Sequence, residues 1–274
     1  RPNEQENISE SIIATVMADG DTRQAIAFLE TMPDGKPRTA ALGKIALTLA
    51  MSDPAGALDF LRKNVRTSGD EEAYSGVLSH WSRTDPDRAI ETALAMESGK
   101  VRSASLVSII HEIANRDAAA AFKILERIDP EDWQDMSYSL AYHLAQKDPK
   151  GAFAWAQSIS DEETRDNALA NVLSSWAQRD PVQACEQVKL ITDPKSRDRA
   201  LQSALSNWSY QDAVSAMTWA IRNLDEKQQL NIIPNSLISS WTKQDRAGVQ
   251  EWISALPEGE LRSATTASFV DRWA

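Results

Sequence analysis

Residues 168–184 read ALANVLSSWAQRDPVQA, and residues 200–216 read ALQSALSNWSYQDAVSA. The two stretches align without a gap at a spacing of 32, and each closes on the same pattern: a tryptophan, an aspartate four residues later, an alanine four beyond that. Followed outward, the aspartates stand at 21, 53, 85, 117, 148, 180, 212 and 245, spaced 32, 32, 32, 31, 32, 32 and 33. Four residues before them come Met17, Leu49, Trp81, Ile113, Leu144, Trp176, Trp208 and Trp241, with Trp273 one step further on. Four residues after them come Ala25, Ala57, Ala89, Ala121, Ala152, Ala184, Ala216 and Val249. A period of this length identifies one supersecondary unit repeated along the chain.

Each column has a physical reason. An aspartate carboxylate accepts from a free N–H at a helix start and is a preferred N-cap. Asp53, Asp85, Asp148 and Asp180 are followed by proline, which suits the first helical position. Each aspartate is therefore predicted to open a short helix of about three turns. The alanine one turn in admits a neighbouring helix closely, and the next turn carries bulk: Phe28, Phe60, Trp155, Trp219 and Trp252. Polar breaks follow, such as Pro33-Asp34-Gly35-Lys36-Pro37 and Ser98-Gly99, and then a longer helix. Its stripe reads Ala168, Leu169, Val172, Leu173 and Trp176, a 3.6-residue period, and no alternating run is long enough for a strand. The expectation is a helix hairpin of about 32 residues repeated eight times after a leading helix over residues 8–19. One hairpin cannot bury its apolar faces alone, so the fold class expected is all-α. It would be a right-handed α–α superhelix, a single solenoid domain over 1–274. Pro234, inside the long helix of the 33-residue repeat, should kink that helix or delay its start.

Composition bounds the function. The chain has 274 residues and a net charge of −11. That balance argues against nucleic acid as a partner, since phosphate binding needs clustered Lys and Arg. No run of about 18 apolar residues is present, so no membrane span is expected. Cys185 is the sole cysteine, which excludes an internal disulfide framework. It falls on a buried phase and should be inert.

Gly20-Asp21-Thr22-Arg23-Gln24-Ala25-Ile26 resembles the middle of a tetratricopeptide repeat, where Gly-Asp, three variable residues and Ala-Ile open the second helix. The large residue four before the aspartate fits that family too. The resemblance implies an all-helical superhelix that binds proteins or peptides. Three departures stand against it: a period of 32 rather than 34, a Gly-Asp pair that survives once, and a shifted stripe on the long helix. The family's peptide-binding residues therefore do not carry over, and HEAT-like stacking is the rival architecture. The tryptophan and Asp-Pro repeats are also similar to those of exported bacterial proteins. The chain starts without Met and stops where another aspartate should follow, which suggests a trimmed or processed chain, exported or periplasmic, with an N-terminal segment removed.

The long helix carries an unusual polar face. Nine, six and five residues before the aspartates stand, among others, Ser108, Ser139 and Asn171; Ser79, His111, Tyr142, Ser174, Ser206 and Ser239; and His80, His143 and Asn207. An exposed helix face normally carries Lys, Glu and Arg rather than serine. One reading is a groove for a partner, with Tyr138 and Tyr142 as anchors. The other is close packing of adjacent long helices. The partner expected is a protein or peptide, neutral or basic given the charge, with self-association through the terminal helices as a further contact. An α/α-barrel enzyme such as a glycosidase or lyase is the alternative, and a passive spacer of a larger protein is a third.

No cofactor or metal is expected. His80, His111 and His143, spaced 31 and 32, sit on consecutive long helices about 8–10 Å apart, too far for all three to share one ion. They read as polar surface. The tryptophans read as packing, with Trp133, outside both columns, as the exposed one. Arg38, Arg102, Arg165, Arg197 and Arg262 stand 17 after the aspartates, at the start of the long helix. Helix dipoles disfavour cations there, so acidic partners such as Asp161, Asp193 or Glu258 are expected, or else an anion-binding ladder. Asp59, Glu91, Glu186 and Glu251 read as a solvated face.

Overall fold

The computed structural model describes residues 22–272, and among them every regular element is helical. Met17, Asp21, the leading helix and Trp273 lie outside the described residues. The short helices are α1 (Thr22–Thr31), α3 (Pro54–Asn64), α5 (Pro86–Leu94), α7 (Ala118–Leu125), α9 (Pro149–Ser158), α11 (Pro181–Gln187), α13 (Ala213–Asn223) and α16 (Arg246–Ala255). Alternating with them come the long ones: α2 (Lys36–Ala50), α4 (Glu72–Trp81), α6 (Lys100–Arg116), α8 (Pro130–Lys147), α10 (Glu162–Trp176), α12 (Pro194–Gln211), the pair α14 (Glu226–Ile232) and α15 (Ile238–Thr242), and α17 (Glu260–Asp271).

All seven described column aspartates cap their short helices. Asp53, Asp85, Asp117, Asp148, Asp180, Asp212 and Asp245 each accept from the N–H three residues on, at 2.9–3.2 Å. A second, unexpected set caps long helices: Asp161, Asp193 and Asp225 accept from Thr164, Ser196 and Gln228 at 2.7–2.8 Å. Without such a cap, α2 and α6 start at Gly35 and Gly99, whose φ of 143° and 146° suits only glycine.

The chain divides into two compact units, Arg1–Leu140 and Ala141–Ala274. In the first, α2 packs on α4 and α4 on α6, with the short helices laid against them. In the second, α10 packs on α12, α12 on α15 and α15 on α17. The alanine column lies inside this packing: Ala25, Ala57, Ala89, Ala121, Ala152, Ala184, Ala216 and Val249 are all fully buried. The stripes 168–169–172–173–176 and 200–201–204–205–208 are buried throughout. Tryptophans close this core. Trp176 meets Phe153, Trp208 meets Trp219 and Trp241 meets Trp252, with ring centroids 5.9–6.3 Å apart in edge or tilted geometry.

Two expectations need correcting. Trp133 is not exposed: it is buried with Met136 and Leu140, because α8 begins at Pro130 and puts residue 133 on the inward stripe of its first turns. Pro234 does not delay the start of its helix. Helix starts at Glu226, and residues Ile233–Leu237 form a π-turn before α15 continues. This is the 33-residue repeat, and a π-turn houses one extra residue while keeping the flanking turns in phase.

Candidate functional site

The thirteen polar-face residues lie on successive long helices: Ser79 and His80 on α4, Ser108 and His111 on α6, Tyr138, Ser139, Tyr142 and His143 on α8, Asn171 and Ser174 on α10, Ser206 and Asn207 on α12, Ser239 on α15. Ten of them are half-buried; Tyr138, Ser139 and Tyr142 are exposed. Tyr138 is 76% and Tyr142 46% accessible, one turn apart on the same helix.

Hydrogen bonds bring part of this face together. Ser174 and Ser203 hydroxyls lie 2.8 Å apart across α10 and α12. The Asn207 amide donates to the Ser174 carbonyl at 3.1 Å. Gln202 donates to the Ser236 hydroxyl at 2.7 Å, joining α12 to the π-turn. Asn171 instead turns back to the Asn167 carbonyl on its own helix. On α4 the Arg83 guanidinium meets His80 Nδ1, and Arg83 Nε stands 4.0 Å from Glu112 on α6.

A second seam was not read from the sequence. Before three of the aspartates a side chain reaches the end of the preceding long helix: Arg116 donates to the Arg83 carbonyl, Gln211 to the Gln178 carbonyl and Gln244 to the Ser209 carbonyl, at 3.0–3.3 Å. The last carbonyls of a helix have no intrahelical donor, and these side chains supply one. The only signal available was long polar residues at 116, 211 and 244.

The arginine column resolves into two roles. Arg38 Nη1 meets Asp70 Oδ2 at 2.9 Å, and Arg102 Nη2 meets Asp132 Oδ2 at 2.7 Å and Asp129 Oδ2 at 3.3 Å. Arg165, Arg197 and Arg262 have a different partner from the expected Asp161, Asp193 and Glu258. Each donates to the carbonyl six residues earlier, Ile159, Ile191 and Leu256, at 3.3–3.5 Å. Asp161 and Asp193 point their carboxylates at their own helix starts instead. Hydrogen bonds from Thr164 hold the Asp161 carboxyl below the usual range, with the nearby Arg165 charge adding to that, and bonds from Ser196 do the same for Asp193.

The acidic residues Asp59, Glu91, Glu186 and Glu251 are exposed. Cys185 is buried, and burial, helped by the neighbouring Glu186 charge, pushes its thiol up to about 12. A thiol so shifted carries almost no thiolate at neutral pH. Another buried acid, Asp166, latches the turn before α12: it accepts from the Asp193 N–H at 2.6 Å and the Thr192 hydroxyl at 2.8 Å. No described helix is long and apolar enough to cross a membrane. Compared with known protein families, curated proteins and solved structures, the chain finds no match. Chemically, the long helices carry hydroxyl, amide and imidazole groups, and α8 carries two accessible phenol rings, groups suited to hydrogen bonding and ring contact.

Proposed function

We propose that the chain is a non-enzymatic scaffold that binds a neutral or basic protein or peptide along the polar face of its long helices. The observation that carries this reading is the exposed pair Tyr138 and Tyr142 beside Ser139. Tyrosine is among the residues most enriched at binding hot spots, and these two rings stand accessible on one helix. A photo-cross-linking residue at 142, applied to the full chain with a displayed peptide library, tests it. Enriched peptides that cross-link at 142 and lose binding in Tyr138→Ala/Tyr142→Ala support the reading. Peptides that bind the double variant equally overturn it.

The same proposal includes the architecture. We infer that the hairpins continue as one right-handed superhelix of about eight repeats, tetratricopeptide-like, with HEAT-like stacking as the rival. Bonds between successive long helices at separations of 33 and 35 residues support it. Small-angle scattering from an arc rather than a near-sphere is the expected result. A near-sphere would favour the closed α/α-barrel instead.

A passive spacer is the second reading. The Ser174–Ser203 bond favours it, because it uses hydroxyls of the polar face within the protein itself.

A further inference from the structure

A cavity of about 660 Å³ opens in the first unit between α5 and α7, at the ends of α4 and α6. Its size falls in the range of small-molecule sites. Its apolar lining includes Ile90, Ile113 and Ile124, exposed by only 1%, 7% and 7%, with Pro86 and Ala120 beside them.

The repeat explains why space is left there. The three isoleucines occupy positions five after one aspartate, four before the next and seven after the next. The same triple elsewhere reads Ile26/Leu49/Phe60, Leu58/Trp81/Thr92, Phe122/Leu144/Trp155, Phe153/Trp176/Gln187, Cys185/Trp208/Trp219 and Met217/Trp241/Trp252. Six of the seven triples hold at least one aromatic ring. In the second unit, ring pairs from these positions pack at 5.9–6.3 Å. Ile90/Ile113/Ile124 is the triple with no ring, and it is where the cavity lies.

The lining carries four cations, Arg83, Arg116, Lys123 and Arg127, against two carboxylates, Asp87 and Asp117. Arg127 is engaged by Asp87 at 3.4 Å, and Asp117 is occupied in capping α7. Arg116 uses one N–H on the Arg83 carbonyl and keeps others free to donate. Lys123 is exposed and has no ion pair or hydrogen bond among the described residues. The uncommitted charges at this mouth are therefore positive, in a chain of net charge −11.

We propose that this cavity binds a small aromatic carboxylate. Its ring takes the place that a tryptophan or phenylalanine fills in the other repeats, and its carboxylate meets Lys123 and Arg116. The site is separate from the polar face of the long helices and stands or falls independently of it.

The test is a titration of the full chain with indole-3-acetate, followed through the isoleucine methyl resonances, with indole-3-acetamide as the uncharged control. Saturable shifts at Ile90, Ile113 and Ile124 are expected, with the amide binding about 2–5-fold more weakly. Ile113→Trp places the missing ring in the chain itself and should abolish the shifts. Lys123→Glu, on the exposed rim, should weaken the acetate several-fold and leave the amide unchanged. Shifts that do not saturate by about 5 mM, or that persist in a folded Ile113→Trp, overturn the proposal. If Ile113→Trp does not fold, equal affinity of wild type and Lys123→Glu for the acetate overturns it instead.

Discussion

Arg38 and Asp70 stand 32 residues apart in the chain and 2.9 Å apart in space, both 1% exposed. They occupy the same position in successive repeats, 17 after Asp21 and 17 after Asp53, so one column supplies both charges. Further hydrogen bonds hold both members of the pair. Arg38 Nη2 donates to the Asn64 carbonyl at 2.6 Å, while Asp70 accepts from the Thr39 hydroxyl at 2.6 Å and the Arg66 N–H at 3.0 Å. Removing Asp70 leaves the buried Arg38 charge with only the exposed Asp34 carboxylate, 3.9 Å from its Nε. Asp70→Ala should therefore lose about 3–5 kcal/mol in urea unfolding. Arg38→Met with Asp70→Leu should recover much of that, and a double variant no more stable than Asp70→Ala would show that the turn bonds matter more than the charges.

Acid should loosen the chain through a small set of carboxylates. At Asp70 burial raises the pKa, but the Thr39 hydroxyl, the Arg66 and Thr67 N–H groups and the Arg38 charge outweigh it, and the net shift is downward from 3.8. Bonds from Thr164, Ser196 and Ser215 lower Asp161, Asp193 and Asp212 likewise. A depressed folded value means stabilisation that is complete above the unfolded value and lost as pH falls through the folded one. Urea midpoints should hold steady from neutral pH to about pH 5 and fall below about pH 4. Asp70→Asn should show a shallower fall, and an unchanged slope would remove Asp70 from the set.

Alanine burial makes the short helices intolerant of size. Ala184 is fully buried, and Ala184→Leu must displace a neighbouring helix. About 1–3 kcal/mol of destabilisation is expected. Ala119→Leu, at an exposed position of α7, serves as the control and should change stability by no more than about 0.5 kcal/mol. Thermal melts of the two variants check the difference.

The π-turn should be removable. Asn235 is its exposed residue. Deleting it shortens the repeat from 33 to 32 and returns α14 and α15 to one α-helix. Stability is expected to stay within about 1 kcal/mol of wild type. Deleting Ser203 from the regular α12 rotates everything after it by about 100° and should unfold the second unit. Equal damage from both deletions would mean that the wide turn itself is needed.

Much of this was legible because it rests on local chemistry. A carboxylate three residues before an N–H caps a helix wherever it occurs, so the column aspartates could be read one by one. The alanine and tryptophan columns were legible because burial repeats with the same period. Arg165, Arg197 and Arg262 were misread for a different reason. Their donors reach a carbonyl in the turn behind them, and carbonyls are carried by every residue and leave no mark in sequence. Trp133 was misread because its burial depends on α8 starting at Pro130, one turn ahead. The polar face remains the least legible part: serine suits both a seam and a groove, and only coordinates reveal that Ser174 reaches Ser203.

The seam of Arg116, Gln211 and Gln244 has an implication for how such a chain can change length. Each of these side chains binds a carbonyl, the one group that every substitution preserves. A hairpin ending on one of these three residues, excised or duplicated as a whole, brings its own donor and exposes its own acceptor. The join therefore needs no matched mutation on either side, and insertion or loss of whole hairpins is the route of variation this framework tolerates best.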